Sequence, residues 1–403
     1  MVTLADGCRA GRVPARVLMV AHAAWPDSVG GTELYLHALT LALTRMGVDV
    51  ALHLPSGRGR GETADRSAEA AFSARLRAER PELVHIHHLS GHPATLPELV
   101  VREGIPLFIT LHDHHYWCSR GQLADRDARP CPGPEPTRCA RCVVPGQPLA
   151  SRPWMRALLA RPARAERRAT LMMSALKQAD EVFAPSRAIA ARAPVATTPC
   201  PLPLPRPVGV APVSEPGPLR FLFLGSLIPT KGPQVALEAF ARLPAWSGQL
   251  DLVGPAPLWQ GRPDAVARLR RRAAEVPGVR VLPGVPPEAV CETLAAHDVL
   301  LLPSLWEENS PLVALEGRSA GMVALISAIG GLPELMPQAV KLPPGDVNAW
   351  ADAMAGEVRR GRRRVPSLAP VGLDEHAKWL CGRYAERLAA RGGPRGRVGW
   401  EKE

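Results

Sequence analysis

The sequence predicts an α/β protein in which two doubly wound parallel sheets follow one another along the chain. Short apolar runs alternate with longer segments of helical period, as expected for strands joined by crossover helices. A Pro-rich stretch at 199–218 interrupts this alternation, which restarts at Leu219. The length of 403 residues, with 46% hydrophobic residues, suits two domains that each bury a core.

The first half has the alternation of a doubly wound sheet, whose ligands bind at the C-terminal edge of the strands. Strands are predicted at 16–21, 48–53, 82–88, 105–111 and 181–186, and helices at 32–46, 62–80 and 171–179. Gly30 and Gly31 lie just before the first helix, where free backbone N–H groups favour a phosphate. A Gly-Gly pair also serves any tight strand-to-helix turn, so this signal alone leaves both interpretations open.

Histidines gather at the ends of two predicted strands. Four of them follow one another closely: His85, His87, His88 and His92. Strand alternation sends His85 and His87 to one face, and we predict hydrogen-bonded strand-end histidines rather than a metal site. His112 and Asp113 follow the strand at 105–111. Either His112 acts through hydrogen bonds or proton transfer, with Asp113 fixing its tautomer or the local backbone, or the pair forms a turn.

Four of the eight cysteines lie close together in a segment rich in Pro, Gly, Arg and Asp, for which we predict neither helix nor strand. They are Cys118, Cys131, Cys139 and Cys142. Four thiolates in one short loop without a core favour a tetrahedral structural zinc site, and disulfides or an iron–sulfur cluster are the alternatives. Asp125-Arg-Asp127 has the form of a metal-binding Asp-x-Asp, but we predict turn chemistry there.

The stretch 151–168 has six arginines and one glutamate among apolar residues. Such a stretch either contacts an anionic membrane surface or forms an ordinary charged helix face. The formal net charge of +11 favours an anionic partner such as a nucleotide. No apolar run reaches membrane-spanning length and no signal peptide is recognisable, so we expect a cytoplasmic protein. If the basic stretch binds lipid, the protein would also contact the inner face of the membrane peripherally.

The second half repeats the alternation. Strands are predicted at 219–225, 249–254, 279–282, 299–302 and 322–327, and helices at 233–243, 311–320 and 376–390. Lys231 lies beside the start of the first of these helices, where it can neutralise a diphosphate. Ser310 is predicted to cap the helix at 311–320, with Pro311 as its first residue. Glu308 and Glu316 flank that helix start, and they are either ligands for hydroxyl groups or a cap and a solvated helix residue.

The two predicted α/β halves, with a Pro-rich linker between them, resemble the GT-B glycosyltransferases, which have two Rossmann-like domains facing each other across a cleft. The second half resembles glycosyltransferase family 4, a retaining family. The residues that carry the resemblance are Gly225, Lys231-Gly232, Asp298, Pro303-Ser304, Glu308, Glu316, Gly321, Gly330-Gly331 and Glu334, with Gly30-Gly31-Thr-Glu and Thr110-Leu-His112-Asp113 in the first half. The resemblance covers roughly residues 16–390, and the four-Cys loop looks like an insertion of some bacterial members.

The resemblance implies a role for each matching position. Glu316 would hold the ribose of the donor, Glu308 would face the donor sugar, and Lys231 would hold the departing diphosphate. His112 would lie at the sugar near the reacting centre, and Gly31 would let its loop approach the phosphates. Backbone amides of Asn309, Ser310, Pro311 and Leu312 would approach the sugar and the diphosphate.

Two departures from the family pattern concern the donor. Ser226 stands where many members have Arg, so a phosphate contact is missing or comes from elsewhere, for example from Arg187. Asn309-Ser310-Pro311 replaces the usual Gly-aromatic-Gly after the first glutamate, which leaves the donor sugar open.

The resemblance implies transfer of a sugar from a UDP- or GDP-sugar to a glycan or polyprenyl-linked acceptor, in cell-surface polysaccharide or glycoconjugate synthesis. No catalytic metal is expected. The expected domains are 1–198, a linker at 199–218, 219–370, and a terminal helix at 371–403 that packs back on the first domain. Alternatives are a GT-B epimerase or phosphorylase, or a zinc-containing protein that binds nucleic acid or protein through 118–168. Few aromatics accompany those arginines, so no specific nucleic acid is expected.

Overall fold

The computed structural model describes residues 13–55, 65–125, 127–143, 161–210, 212, 217–244, 247–257 and 264–391. In the first half its strands are β1 (Arg16–Val20), β2 (Asp49–His53), β3 (Leu83–Ile86), β4 (Leu107–Thr110), β5 (Glu181–Ala184) and β6 (Thr198–Pro199). Its helices there are α1 (Gly31–Arg45), α2 (Arg66–Glu79), α3 (Leu96–Arg102), α4 (Pro136–Val143), α5 (Pro162–Gln178) and α6 (Arg187–Arg192). The six strands form one parallel sheet in the order β2-β1-β3-β4-β5-β6.

The second half forms another six-stranded parallel sheet, in the order β12-β11-β10-β7-β8-β9. Its strands are β7 (Leu219–Leu224), β8 (Gly248–Val253), β9 (Val279–Leu282), β10 (Val299–Leu302), β11 (Val323–Ser327) and β12 (Val340–Leu342). The helices are α7 (Pro233–Phe240), α8 (Asp264–Ala274), α9 (Val290–Ala295), α10 (Leu312–Ser319), α11 (Leu332–Leu335), α12 (Val347–Arg360) and α13 (Leu373–Arg391), with short 3-10 turns at Pro229–Lys231 and Pro287–Ala289. The strand order reverses between β7 and β10, which is the usual ligand position in an open parallel sheet.

Burial on both faces explains why the strands are apolar without interruption. In β1, Leu18 and Val20 belong to one core cluster, whereas Val17 and Met19 belong to another, and all four are fully buried. Successive side chains of a strand point to opposite faces, so this sheet has a core on each side. The second sheet has the same two-sided arrangement.

The last described helix, α13, belongs to the second half in sequence and packs on the first half in space. Leu380 and Tyr384 are fully buried in the cluster that includes Val17 and Met19. The Tyr384 hydroxyl hydrogen-bonds His85 Nδ1. The C-terminal part of the chain therefore completes the core of the first half.

The chain crosses between the halves at 199–218, and it remains anchored at the start of this stretch. Pro199 pairs with Ala184, so β5 is not the last strand of the first sheet. Leu202 packs in the core of the first half and Leu204 in that of the second. Within the described residues, no helix is long and apolar enough to span a bilayer.

Candidate functional site

A cleft of about 430 Å³ lies between the two halves, at the C-terminal edges of both sheets. The first half contributes the segments that follow β1, β3 and β4, and the second contributes those that follow β7, β8, β9 and β10. Apart from Arg187, every residue predicted to have a catalytic or donor-binding role lines it: Gly30, Gly31, His112, Ser226, Lys231, Glu308, Asn309, Ser310, Pro311, Leu312 and Glu316. Residues that are distant in the sequence therefore share one chamber.

Glu308 and Lys231 form an ion pair on the wall of this cleft. Lys231 Nζ lies 2.6 Å from Glu308 Oε1, and the Ser304 hydroxyl donates to the same oxygen at 2.8 Å. The side chain of Lys231 is 25% exposed and that of Glu308 is 5% exposed. The carboxylate is thus pre-oriented, and the ammonium group remains accessible to an anion.

Three glycines allow the loops around this pair to approach each other. Gly232 has φ +77°, and a Cβ there would lie 1.9 Å from the carbonyl oxygen of Pro303. Gly330 has φ +61°, and a Cβ there would lie 2.3 Å from the carbonyl oxygen of Glu308. The N–H of Gly331 donates to that oxygen at 2.6 Å. The Gly-Gly element therefore supports the backbone that carries Glu308.

Glu316 lies one turn inside α10 and lines the cleft, and its carboxyl group makes no hydrogen bond to another described residue. Burial raises the pKa of its carboxyl to about 7, while the nearby Arg206 lowers it. A group that is half-ionised near neutrality and faces a cleft can accept hydrogen bonds from ligand hydroxyls, which would favour its ionised form.

The helix α10 begins one residue later than the sequence predicted. Its N-cap is Pro311, in extended conformation with ψ 130°, and no side chain caps it. The hydroxyl of Ser310 is buried without a hydrogen-bond partner, so the prediction that Ser310 is the cap was wrong. The first N–H groups of α10 consequently remain available to an anion in the cleft.

Asn309 joins the two halves. Its amide nitrogen donates to the carbonyl oxygens of Leu111 (2.6 Å) and His112 (3.3 Å), and its amide oxygen accepts from the Ser186 hydroxyl. Nearby, Glu307 pairs with Arg192 of α6. The loop that carries Glu308 is thus held against the loop that carries His112.

His112 is partnered by another histidine rather than by Asp113. His112 Nε2 lies 3.1 Å from His87 Nδ1. Asp113 instead receives hydrogen bonds from His88 Nε2 (3.2 Å) and the backbone N–H of His115 (2.8 Å). Burial raises the pKa of Asp113, but His88 outweighs this effect and holds it well below its ordinary value. The hypothesis that Asp113 fixes the tautomer of His112 was therefore wrong, and its alternative role on the local backbone is confirmed.

Some residues that line the cleft, among them His22 and Trp306, were not predicted from the sequence. His22 Nε2 lies 3.0 Å from Glu33 Oε1, and the Ser28 hydroxyl donates to the same oxygen. Burial raises the pKa of Glu33, but the hydrogen bond and charge of His22 bring it down to about 2. Trp306 also lines the cleft, with Lys231 Nζ 5.5 Å from its ring centroid. The position of His22 just after β1 was the available signal, because strand ends form such sites.

The cysteine segment contains a helix that was not predicted. Cys139 and Cys142 lie three residues apart on α4, and Cys131 and Cys118 lie before it. Burial raises the pKa of the Cys139 thiol, and Cys118 and Cys131 raise it further through charge. As they are positioned, the described residues contain no group of three or more His, Cys, Asp or Glu side chains able to hold a metal ion. The zinc site stays a prediction.

The Asp-x-Asp in this segment forms a turn, as predicted. Asp125 Oδ1 accepts from the backbone N–H groups of Asp127 and Arg129.

Two arginines that the sequence analysis considered, Arg187 and Arg168, do not line the cleft. The side chain of Arg187 is 81% exposed and near Glu334, so it does not replace the phosphate contact missing at Ser226. Of the basic stretch 151–168, residues 151–160 lie outside the described residues. Arg168 is buried and donates to the His115 carbonyl oxygen at 2.7 Å, so it does not belong to a surface patch.

The match to a family model lies in the second half of the chain. Residues 218–357 match the family model described as "Glycosyl transferases group 1". The D-inositol 3-phosphate glycosyltransferase of Mycobacterium marinum is 31% identical over 160 residues, which are 38% of this chain and 34% of that protein. The enzyme of the same name from Nocardia farcinica is 30% identical over 199 residues, 46% of this chain and 44% of that protein. The chain thus spans a third to somewhat under half of the length of these relatives.

Solved structures match over nearly the whole chain. Sucrose-phosphate synthase from Thermosynechococcus elongatus has a TM-score of 0.60 at 19% identity, covering 93% of this chain and 94% of that one. Anabaena HepE in complex with UDP and glucose has a TM-score of 0.57 at 15% identity, covering 94% and 98%. The predicted α/β fold with two doubly wound sheets is confirmed as the GT-B fold of these proteins.

Proposed function

We propose that the protein is a retaining glycosyltransferase that moves a sugar from a nucleotide-sugar to a glycan or polyprenyl-linked acceptor. The observation that carries this proposal is the meeting of Lys231, Glu308, Glu316 and His112 in one cleft between two doubly wound halves. The match of residues 218–357 to the glycosyl transferases group 1 model and the relatives' names support it.

The donor would lie mainly on the second half. Glu316 would accept hydrogen bonds from the ribose hydroxyls, which suits a carboxyl that lines the cleft and has no hydrogen-bond partner among the described residues. The diphosphate would lie between Lys231 and the uncapped N-terminus of α10. These groups can stabilise the negative charge that develops on the leaving diphosphate without a metal ion. UDP- and GDP-sugars are the donors to test first, and the HepE complex with UDP and glucose is a precedent for the former.

The sugar would lie between the two halves. Glu308 would accept from a sugar hydroxyl after Lys231 turns toward the diphosphate, and His112 would contact the sugar from the opposite wall. Asn309 and Glu307 hold these two walls together and would keep water from the reacting centre. The acceptor would approach from the first half, whose wall carries His22, Glu33 and Asp113.

The test is to incubate the protein with a panel of UDP- and GDP-sugars and mixed glycan or polyprenyl-linked acceptors, and to follow the products by NMR. Transfer with the anomeric configuration of the donor is expected, together with release of the nucleoside diphosphate. Isomerisation of the donor alone would indicate an epimerase, and release of a sugar phosphate would indicate a phosphorylase. Either result would overturn the proposal.

The four cysteines are proposed to hold a structural zinc ion that ties α4 to the segment after β4. In the described part of the structure, no three of these cysteines are grouped so that they could hold a metal ion. The four side chains would have to move closer together, and metal binding would supply the free energy for that movement. They are Cys118, Cys131, Cys139 and Cys142. Elemental analysis of the purified protein tests this: about one zinc per chain is expected, and a chain free of zinc and other metals would exclude it.

The site of action is proposed to be the cytoplasm, at the inner face of the membrane where polyprenyl-linked acceptors would be presented. The basic stretch 151–168, apart from the buried Arg168, would make the contact. Cosedimentation with vesicles of anionic and of neutral lipids tests this, and equal binding to both would contradict it.

A further inference from the structure

The two ring nitrogens of His112 have different surroundings. Nε2 is 3.1 Å from Nδ1 of His87. Nδ1 has no hydrogen bond to a described residue and is not fully buried, and His112 lines the cleft. One nitrogen is therefore held by the protein, and the other is presented to a ligand.

The hydrogen bond between the two rings contains a single proton. Burial lowers the pKa of both His87 and His112 well below the ordinary value, so each ring is neutral and carries one N–H. In one arrangement His112 donates from Nε2, and His87 must then carry its proton on its own Nε2. In the other arrangement His87 donates from Nδ1, and His112 must then carry its proton on Nδ1.

The surroundings of His87 Nε2 distinguish these arrangements. This nitrogen is buried and has no hydrogen-bond partner in the described part of the chain. Its nearest ring neighbour, His85, has both nitrogens engaged, by Tyr384 and by Thr110. The first arrangement would bury an N–H without an acceptor, which native structures avoid more strictly than an unsatisfied acceptor. The second arrangement leaves only a lone pair there.

We propose that His87 is a positioning residue that fixes His112 as its Nδ1–H tautomer, so that His112 offers the cleft a hydrogen-bond donor. This inference rests on the proposed function for its substrate, a sugar bound between the two walls. The N–H of His112 would then bind a lone pair of a sugar hydroxyl, while the carboxylate of Glu308 on the facing wall would accept a proton from another hydroxyl. A donor on one side and an acceptor on the other would fix which way round the sugar ring lies.

The tautomer can be read directly by long-range ¹H–¹⁵N NMR of the full-length protein with labelled histidines. The chain has twelve histidines, and His112→Gln identifies the signal of interest by its loss. A proton on Nδ1 of His112 is expected in the wild-type protein. A proton on Nε2, or rapid exchange between the two nitrogens, would overturn the proposal, whether or not any transfer activity is found.

Two variants of His87 separate a positioning role from a packing role. Asparagine in place of His87 puts an amide donor near the position of Nδ1, so His87→Asn should keep the His112 tautomer and most of the transfer rate. Aspartate can only accept there, so His87→Asp should place a proton on Nε2 of His112. The carboxylate also favours the doubly protonated ring, so the comparison is made at alkaline pH, where His112 is neutral; kcat/KM should then be lower by roughly tenfold, the loss of about one hydrogen bond. Equal rates and equal His112 spectra in the two variants would contradict the proposal.

His85→Asn is the matched control, because His85 is equally buried but has its hydrogen bonds with Tyr384 and Thr110 rather than with His112. It should leave the His112 signal unchanged even if it lowers the thermal midpoint. If the wild-type protein transfers no sugar from any donor while His112 has its proton on Nδ1, the proposed function fails and the tautomer assignment stands.

Discussion

Glu316 has surroundings that favour its protonated form, since burial raises the pKa of its carboxyl to about 7. The pKa of this carboxyl is higher in the folded protein, about 7, than in the unfolded chain, near 4.5. The free energy of unfolding should therefore decrease as pH rises from about 4.5 to about 7. Ribose hydroxyls would act in the opposite direction, because they donate to the ionised carboxylate. Nucleotide binding and the stability of the free protein should therefore respond oppositely to pH.

The ionisation of Glu316 should be visible in the pH dependence of donor binding. Affinity for a nucleotide-sugar should increase as pH rises from 6 to 8, and Glu316→Gln should remove most of the increase. In the free protein the same variant should raise the thermal midpoint more at pH 8 than at pH 5. Calorimetric titration and thermal unfolding at the two pH values check it. A nucleotide-sugar is the right probe, because its diphosphate has no ionisation in this range, unlike a terminal phosphate. An equal pH slope in both proteins would contradict the ribose role.

The ion pair between Lys231 and Glu308 gives a second prediction. A diphosphate must compete with Glu308 for the Lys231 ammonium group, since the two side chains are 2.6 Å apart. Glu308→Gln should release the lysine and tighten UDP or GDP binding by up to roughly fivefold, the equivalent of about 1 kcal/mol. The same variant should lose most of its transfer activity. Weaker diphosphate binding in this variant, measured by calorimetry, would show that Lys231 does not hold the diphosphate.

Single residues were predicted well where a family pattern covers them and poorly where the partner is remote in sequence. Glu308, Glu316 and Lys231 all line the cleft, as expected. The pairing of His87 with His112 depends on the alignment of β3 with β4, where His85 faces Phe108. The register between two strands cannot be inferred from the spacing of residues along the sequence. Asp113, which follows His112 in the chain, was therefore the more obvious partner for His112.

At the scale of elements, the cleft depends on loops that approach one another closely. Gly331 has an ordinary φ of −81°, but a Cβ there would lie 2.0 Å from the carbonyl oxygen of Asn309 and 3.0 Å from Cβ of Ser186. The glycine pair thus allows α11, the Glu308 loop and the first half to meet. Gly330-Gly331, which the sequence analysis named only as part of the family resemblance, acts here as packing for a neighbouring loop.

Gly331→Ala is the third prediction. Because φ is favourable for alanine, the cost should come from the close contacts with Asn309 and Ser186 rather than from backbone strain, and roughly 1–3 kcal/mol of stability should be lost. Gly209→Ala is the control, since nothing lies within 4 Å of a Cβ at that position. Chemical denaturation of the two variants checks this, and a loss in Gly331→Ala no larger than in Gly209→Ala would contradict it.

Two element boundaries show what local signals leave out. Ser310 looked like a good N-cap, but Pro311 stays extended and takes that position. The segment around the cysteines looked irregular from its Pro, Gly and Arg content, yet Pro136–Val143 is helical. Glu135 supplies the start signal, since its carboxylate accepts from the N–H groups of Thr137 and Arg138.

For the whole molecule, the contacts between the halves could not be predicted from either half. Asn309 donates to two carbonyl oxygens of the first half, Glu307 pairs with Arg192, and Glu334 accepts from the backbone N–H of Arg187. All three second-half residues lie in or beside the motifs that carry the site. The contacts that hold the two halves together therefore also position the residues of the cleft, and α13 packs on the first half.

The central claim is that Glu316 and Lys231 hold the ribose and diphosphate of a nucleotide-sugar, and its most direct test is donor binding. Thermal shift and calorimetry with a panel of UDP- and GDP-sugars should find one that raises the midpoint of the wild-type protein. Glu316→Ala and Lys231→Ala should each weaken that donor by about tenfold or more. Lys341→Ala, outside the cleft, should bind as the wild type does. Donor affinity unchanged in both cleft variants would contradict the account.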